Sequence, residues 1–433
     1  MKIKKDFKKL VGGVLVLIFL FSLFSLSTVS FSKEKITISM WTHDNLYVEF
    51  FTRRGKEWAT KHPEYKFKFD FVRIPYEQLW PKVLTTLAAG AGAPDLVGIE
   101  ISAFSRFMKH NIAETALVDL TPLIGEEKDK FLRWEPYTFK GKIYGVESAF
   151  CPVVYYYRKD IFDNAGIKTP IESWDDFVRV GQKLSAQGKY MAAVATNDVT
   201  HFMELFMQQE GLLFDEEGNL CLDDPRAVKA LRLLVDGVEK KILWPTTDFY
   251  GAPHFAALKE NKVVGDFMPD WWSVYLLKPN VPEQKGLWKI QLLPAWEKGG
   301  KRTSTWGGTG FAITKQSKHV DLVWDCLHYA YMTKENQVKR FLEIQYFPTM
   351  IEAIKDPRVI NYSDPYYGNQ KIGAVFAEAA LQKPIQWQSP YWSETLNILN
   401  RETITPALTG KKNPKQAIED AVNKIEVLMR KGF

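Results

Sequence analysis

The pattern that most restricts the fold is a strand–helix–strand unit early in the chain. Ile36-Thr37-Ile38-Ser39-Met40-Trp41 alternates apolar with small polar residues, the period of a half-buried strand. Tyr76, Leu79, Trp80, Val83, Leu84 and Leu87 then fall at i, i+3, i+4, i+7, i+8 and i+11, one continuous apolar stripe along a helix. Gly90-Ala91-Gly92-Ala93-Pro94 ends that helix, because neither glycine nor proline extends one well. Asp95-Leu96-Val97-Gly98-Ile99-Glu100 reads as a buried strand. The chain therefore opens β-α-β, the unit of a parallel sheet. In such sheets ligands bind at the carboxyl ends of the strands. The first strand ends in Trp41-Thr42-His43-Asp44-Asn45, where an aromatic face stands beside an imidazole, a carboxylate and an amide. That combination suits a polyhydroxylated ligand, which needs a flat apolar surface and directional hydrogen bonds.

The rest of the chain continues to alternate strands and helices, so the fold class is α/β. Gly141 to Val146 is a turn followed by a strand, and Val153 to Tyr157 is another β-rich run. Ser173 is placed as an N-cap with Asp176 three residues on, and Asp224-Pro225 is a second helix start with proline at its first position. Asn413-Pro414 caps a last helix with Ala417, Ile418, Ala421, Val422, Ile425 and Leu428 on one side. No repeat or low-complexity block separates the parts. About 400 residues beyond the leader exceed what one core supports, which predicts two domains.

Residues 1–32 read as a secretory signal: five lysines, then an apolar run from Leu10 to Leu26, then Ser30-Phe31-Ser32 before a cleavage at Lys33. An uncleaved anchor on the outer face of the membrane is the competing reading, since the run approaches the length of a spanning helix. No cysteine lies near the cleavage point, which argues against a lipoprotein anchor. The leader holds most of the net charge of +6, leaving about +2, with no dense basic stripe of a nucleic-acid binder. Cys151, Cys221 and Cys326 are far apart and odd in number, so buried free thiols are expected. A Cys151–Cys221 or Cys221–Cys326 bridge stays open in an oxidising compartment.

Enzyme signatures are missing. The seven histidines form neither HExxH nor HxxxH, so no zinc site is expected, and there is no GxSxG elbow or Walker loop. Gly307-Gly308-Thr309-Gly310 reads as a tight turn feeding the strand Phe311 to Thr314. A glycosidase would need two carboxylates facing each other across a cleft; Asp44, Glu100, Asp198 and Asp270 are the candidates. All 14 tryptophans lie beyond the leader. Trp58, Trp80, Trp174, Trp244 and Trp324 sit in helical patterns or beside helix starts and are expected in the core. Trp41, Trp271, Trp272, Trp306, Trp387 and Trp392 sit at strand ends or in loops, where ligand contact competes with packing.

The order of segments resembles the extracellular carbohydrate-binding proteins of ABC importers, the group that includes maltose-binding protein. The resemblance is carried by Ile36–Trp41, Leu87-Ala88-Ala89-Gly90 with Ala93-Pro94-Asp95-Leu96-Val97, Gly141 to Val146 and Val154 to Phe162. Ala165-Gly166-Ile167, Pro170, Trp174 to Phe177, Gly307-Gly308 with Phe311-Ala312-Ile313, Leu408-Thr409-Gly410 and Asn413 to Ala417 complete it. It implies a two-lobed periplasmic-binding-protein fold with hinge crossings near 149–153, 292–297 and 345–350 and a ligand cleft between the lobes. The expected first lobe is 33–149 with 297–345, the second 150–296 with 346–433. The implied function is non-covalent capture of a carbohydrate or polyol, without catalysis, cofactor or metal, and delivery to membrane permease subunits by a periplasmic monomer. By position in the family's contact loops, Trp41, His43, Asp44, Asn45, Glu100, Ser102, Asn197, Asp198 and Trp271 are the implied ligand contacts. Asp270, Trp272, Trp306, Trp387 and Trp392 are added for nearness to such segments. The aromatic expected near Ile99 is missing, so maltose is not implied. A secreted glycosidase and a binding protein for a phosphorylated polyol are the alternatives.

Overall fold

The computed structural model describes residues 33–432, and the expected signal segment lies outside the described residues. Twelve strands occur among the described residues. They are β1 (Glu34–Thr42), β2 (Tyr65–Arg73), β3 (Leu96–Glu100), β4 (Thr138–Phe139), β5 (Lys142–Ile143), β6 (Val146–Glu147), β7 (Val153–Arg158), β8 (Ala192–Ala195), β9 (Leu243–Thr246), β10 (Gly265–Pro269), β11 (Trp288–Gln291) and β12 (Thr309–Ile313).

The first lobe is built on the sheet β2-β1-β3-β12-β6, with β1 parallel to β3, as the β-α-β pattern predicts, and also to β2, a strand that with the helix Asn45–Ala59 lies between the predicted elements. Along β1 the buried residues are Ile36, Ile38, Met40 and Thr42, every second one. On the edge strand β2, Phe67, Phe69 and Phe71 turn toward the helix Asn45–Ala59, while Lys66 and Lys68 face solvent and guard the unpaired edge. Gly55 of that helix lies where a Cβ would come within 2.9 Å of the Phe69 ring, so helix and sheet approach through glycine. The helix Tyr76–Ala88 buries Leu79, Trp80, Val83 and Leu87, each worth about 1.5–3 kcal/mol relative to exposure. The hairpin β4-β5 turns through Lys140 and Gly141, both at positive φ, the geometry whose twist matches its strands.

The second lobe carries the sheet β10-β7-β11 and the parallel pair β8-β9, tied together by the Tyr190–Val263 bridge and by Ala193 N–H donating to Asp266 at 2.8 Å. The caps read from sequence form: Ser173 accepts from Asp176 N–H, Asp224 from Arg226 N–H and Asn413 from Gln416 N–H. The last helix, Pro414–Lys431, packs on the helix Pro225–Glu239.

The chain leaves the first sheet at Glu147 and enters the second at Val153. The returning segment lies alongside: Pro152 bridges Thr305, and Thr303 and Thr305 hydroxyls donate to the carbonyls of Val153 and Phe150 at 2.9 and 2.8 Å. This second crossing therefore runs through 303–308, later than the expected 292–297. Residues 292–302 stay with the second lobe because Leu293 and Arg302 pair, and Trp174 N–H donates to the Ala295 carbonyl at 3.0 Å. A third segment joins them where Phe150 N–H donates to Phe347 O and Leu132 N–H to Thr349 O. One apolar core runs from the first sheet through these crossings to Tyr156, Met268 and Trp272, and two smaller cores flank it. All three cysteines are free; Cys151 and Cys326 are buried, but Cys221 is half-exposed, against the expectation that all are buried. No helix among the described residues is long and apolar enough to cross a membrane.

Candidate functional site

The strand ends of the two lobes face each other across a cavity of about 1060 Å³. From the first lobe it is lined by His43, Asp44 and Asn45 after β1, Arg73 at the end of β2, Tyr76 and Glu77, and Glu100, Ser102 and Arg106 after β3. From the second lobe come Asp198 and Thr200 after β8, Tyr250 after β9, Trp271 and Tyr275 after β10, and Ser393, Leu396, Asn397 and Asn400. Cys151, Trp306 to Thr309 and Tyr346, from the crossings, also line it.

The left-handed backbone of Gly307 and Gly308 shapes the crossing side. A Cβ on Gly307 would stand 3.0 Å from Trp271 Nε1, and one on Gly308 3.0 Å from the Ala149 carbonyl. This close approach lets the Trp271 indole donate to the Trp306 carbonyl at 2.9 Å, which fixes the ring. The Tyr250 ring stands 6.4 Å away at 35°, so the second lobe presents a two-ring aromatic wall.

Opposite it, His43 stands edge-on to Tyr76, and burial lowers its pKa, which keeps the imidazole neutral. Its Nδ1 is buried with no protein hydrogen-bond partner; across the cleft, Asn400 Oδ1 is in the same position. Glu100 accepts from Tyr76 O–H at 3.0 Å and Ser102 N–H at 2.9 Å through one oxygen. Burial outweighs those bonds and pushes its pKa up to about 7. Asp44 is heavily engaged: it caps the first helix through Leu46 N–H at 2.7 Å and accepts from Tyr346 O–H at 2.6 Å and from Tyr275 O–H. Asp198 accepts from Thr200 N–H at 2.9 Å and so occupies the N-terminus of the helix Thr200–Gln208.

Of the residues singled out from sequence, His43, Asp44, Asn45, Glu100, Ser102, Asp198, Trp271 and Trp306 line the cavity, and six do not. Trp41 packs under the helix Tyr76–Ala88, its ring covered by the Lys82 ammonium at 4.2 Å, because successive strand residues point to opposite faces. Asn197 is exposed and its amide turns to the Thr247 carbonyl at 3.1 Å. Asp270 is buried behind the cavity, where it accepts from Trp271 N–H and from Phe347 N–H and so pins a crossing. Trp272 lies in the core, 5.0 Å ring to ring from Tyr156: adjacent residues of a helical turn cannot both face the cleft. Trp392 is buried in the second-lobe core. Trp387 is half-buried on a segment drawn toward the first lobe by Lys383–Glu135 and Gln386–Arg133 contacts.

Arg73, Tyr76, Arg106, Tyr250, Tyr275, Asn397 and Asn400 were not anticipated. The strand-end rule would have found Arg73, which ends β2, and Tyr250, which follows β9, had those two strands been placed. Nothing local marks Asn397 or Asn400, which reach the cleft from a distant helical segment. No cluster of potential metal ligands exists among the described residues.

The sequence profile of the bacterial extracellular solute-binding proteins matches residues 56–364. The arabinooligosaccharide-binding protein of Bacillus subtilis (strain 168) is 31% identical over 400 residues, which is 90% of this chain and 92% of that protein. A protein of the same name from Halalkalibacterium halodurans is 28% identical over 411 residues, 90% of this chain and 89% of its own length. Among solved structures, the sugar-binding protein MalE from Xanthomonas citri superimposes with a TM-score of 0.76 at 17% identity, over 92% of this chain and 98% of that one. The GacH receptor of Streptomyces glaucescens gives 0.74 at 17% identity, over 92% and 100%. At those identities the structures establish the two-lobed α/β fold. The profile and the relatives establish the lineage: this chain belongs to the bacterial extracellular solute-binding proteins.

Proposed function

We propose that the protein captures a neutral oligosaccharide between its lobes and delivers it to the permease of an ABC importer. The observation that carries this reading is a cavity lined from opposite lobes by hydrogen-bonding side chains, His43 and Glu100 on one and Asn397 and Asn400 on the other, beside the rings of Trp271 and Tyr250. A sugar offers hydroxyls to such polar side chains and apolar C–H faces to the indole. The arabinooligosaccharide-binding relatives support the same class. A cavity of about 1060 Å³ lies just above the usual range of small-molecule sites, about 300–1,000 Å³, and has room for several sugar rings.

The ligand is uncharged in this reading. Asp44, Glu77, Glu100 and Asp198 outnumber Arg73 and Arg106 in the lining, and Asp198 already occupies the helix N-terminus a phosphate would use. A phosphorylated polyol is therefore the weaker reading, although the two arginines give it a test arm. Capture is non-covalent: Asp44 is spent on Leu46, Tyr275 and Tyr346, which leaves it poorly suited to act as a catalytic acid or base. Ligand contact with both lobes stabilises the closed form, the state a permease would recognise. The family is extracellular, so capture takes place outside the cytoplasmic membrane; we place the leader cleavage before Lys33 and the working form as a monomer.

Thermal-shift screening of the chain from Lys33 onward tests this. A ligand at a hundred times its Kd stabilises the native state by about 2.7 kcal/mol, so arabino-oligosaccharides and other neutral sugars should raise the melting temperature. A shift with a phosphorylated polyol and none with any neutral sugar would overturn the reading.

A further inference from the structure

The helix Trp392–Ile398 belongs to the second lobe by packing, since Trp392 is buried in that core with its ring 6.2 Å from Phe214. Its first turn nevertheless reaches the other lobe. Ser393 Oγ lies 2.7 Å from Ser105 Oγ and donates to the Ser102 carbonyl at 3.3 Å, while Glu394 pairs with Lys109. The first-lobe partners are rigidly held, because Phe104, Phe107 and Met108 between them are buried in that lobe's own core. Ser102 and Ser393 also line the cavity, so the contact is a stretch of cavity wall at which the lobes meet. Glu394 and Lys109 stand just behind that wall and outside the cavity lining. Protein atoms make both halves of the contact, so no ligand is needed to form it.

We propose that this contact is a latch that shuts the cleft on this side and thereby limits the length of the carbohydrate chain the site takes. The proposal rests on the carbohydrate reading above. A chain whose end stays within the cavity leaves the latch intact. A longer one must pass between Ser393 and the Ser102–Ser105 turn, and it forfeits the hydroxyl bonds and the ion pair. The penalty falls on long chains alone, so the latch acts as a length filter without touching the rings bound inside.

Glu394→Lys places a like charge against Lys109, and Lys109→Glu/Glu394→Lys restores the attraction with the signs exchanged. Calorimetric titration would use linear arabino-oligosaccharides from disaccharide to octasaccharide. Glu394→Lys should leave the shortest binding chains within about twofold of the parent and raise affinity for the longest by about tenfold, the scale of one hydrogen bond to a charged group; the double variant should return to the parental profile. Small-angle scattering of the sugar-free proteins should show a larger radius of gyration for Glu394→Lys and the parental value for the double variant. Lys109→Gln, which removes the attraction without adding repulsion, should move both readouts the same way by less. An unchanged length profile, or an unchanged radius in Glu394→Lys, would overturn the latch. If no member of the series bound any variant, the length filter for arabino-oligosaccharides would fall while the wider carbohydrate reading stood on the thermal-shift screen, and scattering would still decide whether the contact holds the lobes together.

Discussion

Affinity for a neutral sugar should depend on pH through Glu100. Its carboxyl is pushed up to about 7, first by burial, with the Tyr76 and Ser102 bonds opposing. A sugar hydroxyl donates best to the ionised form, so binding should favour the carboxylate, and affinity should rise with pH until Glu100 is fully ionised. With a pKa near 7 the ionised fraction drops about tenfold from pH 8 to pH 6, which is about 1.4 kcal/mol of binding free energy. The same shift has the opposite sign for the free fold. A carboxyl whose folded pKa lies above its ordinary 4.5 contributes stability below that value and loses it as pH rises through about 7. Two neighbours must be separated from it. Burial lowers the pKa of His43, which keeps it neutral across this window, whereas Asp270 titrates near 6 behind the cavity. Glu100→Gln resolves the two, since it keeps the shape and removes the titration. Calorimetry at matched ionic strength should show the parental pH slope, and in Glu100→Gln a flat profile with affinity lower by about 1.5–3 kcal/mol, the worth of a hydrogen bond to a charged group. A slope that survives in Glu100→Gln would refute the assignment, as would a parental protein with no slope.

The adjacent tryptophans should separate cleanly. Trp271→Ala should weaken sugar binding at least about tenfold, one aromatic contact's worth, with a nearly unchanged melting temperature; Trp272→Ala, which empties a core position, should cost about 3–5 kcal/mol of stability in denaturant unfolding. Thiol reagents should label Cys221 in the native protein and reach Cys326 only on unfolding, as mass spectrometry would show; native labelling of Cys326 would contradict its burial.

Much of this molecule is local and therefore readable. The alternation in β1, the apolar stripe of Tyr76 to Leu87 and the caps Ser173, Asp224 and Asn413 depend on residues within a few positions of one another, and each forms where its pattern places it. The strand-end rule likewise brought His43, Glu100, Asp198 and Trp271 to one cavity. Side-chain direction at a strand end is less legible. Trp41 sits two residues and Asn197 one residue from a lining position, and both face elsewhere, while Trp272 exchanges the cleft for the core within a single helical turn.

By itself the sequence determined an α/β chain opening on a parallel unit, an aromatic and polar inventory suited to sugars, and an order of segments that resembles one family. Only the tertiary structure decided that Asp44 is bound by Tyr275 and Tyr346, that the second crossing runs through 303–308, and that Ser105 meets Ser393 across 288 positions of sequence. The physical reason is range. Periodicity and capping are fixed by hydrogen bonds within a turn or two, whereas a cleft is made by surfaces that approach only after both lobes have packed.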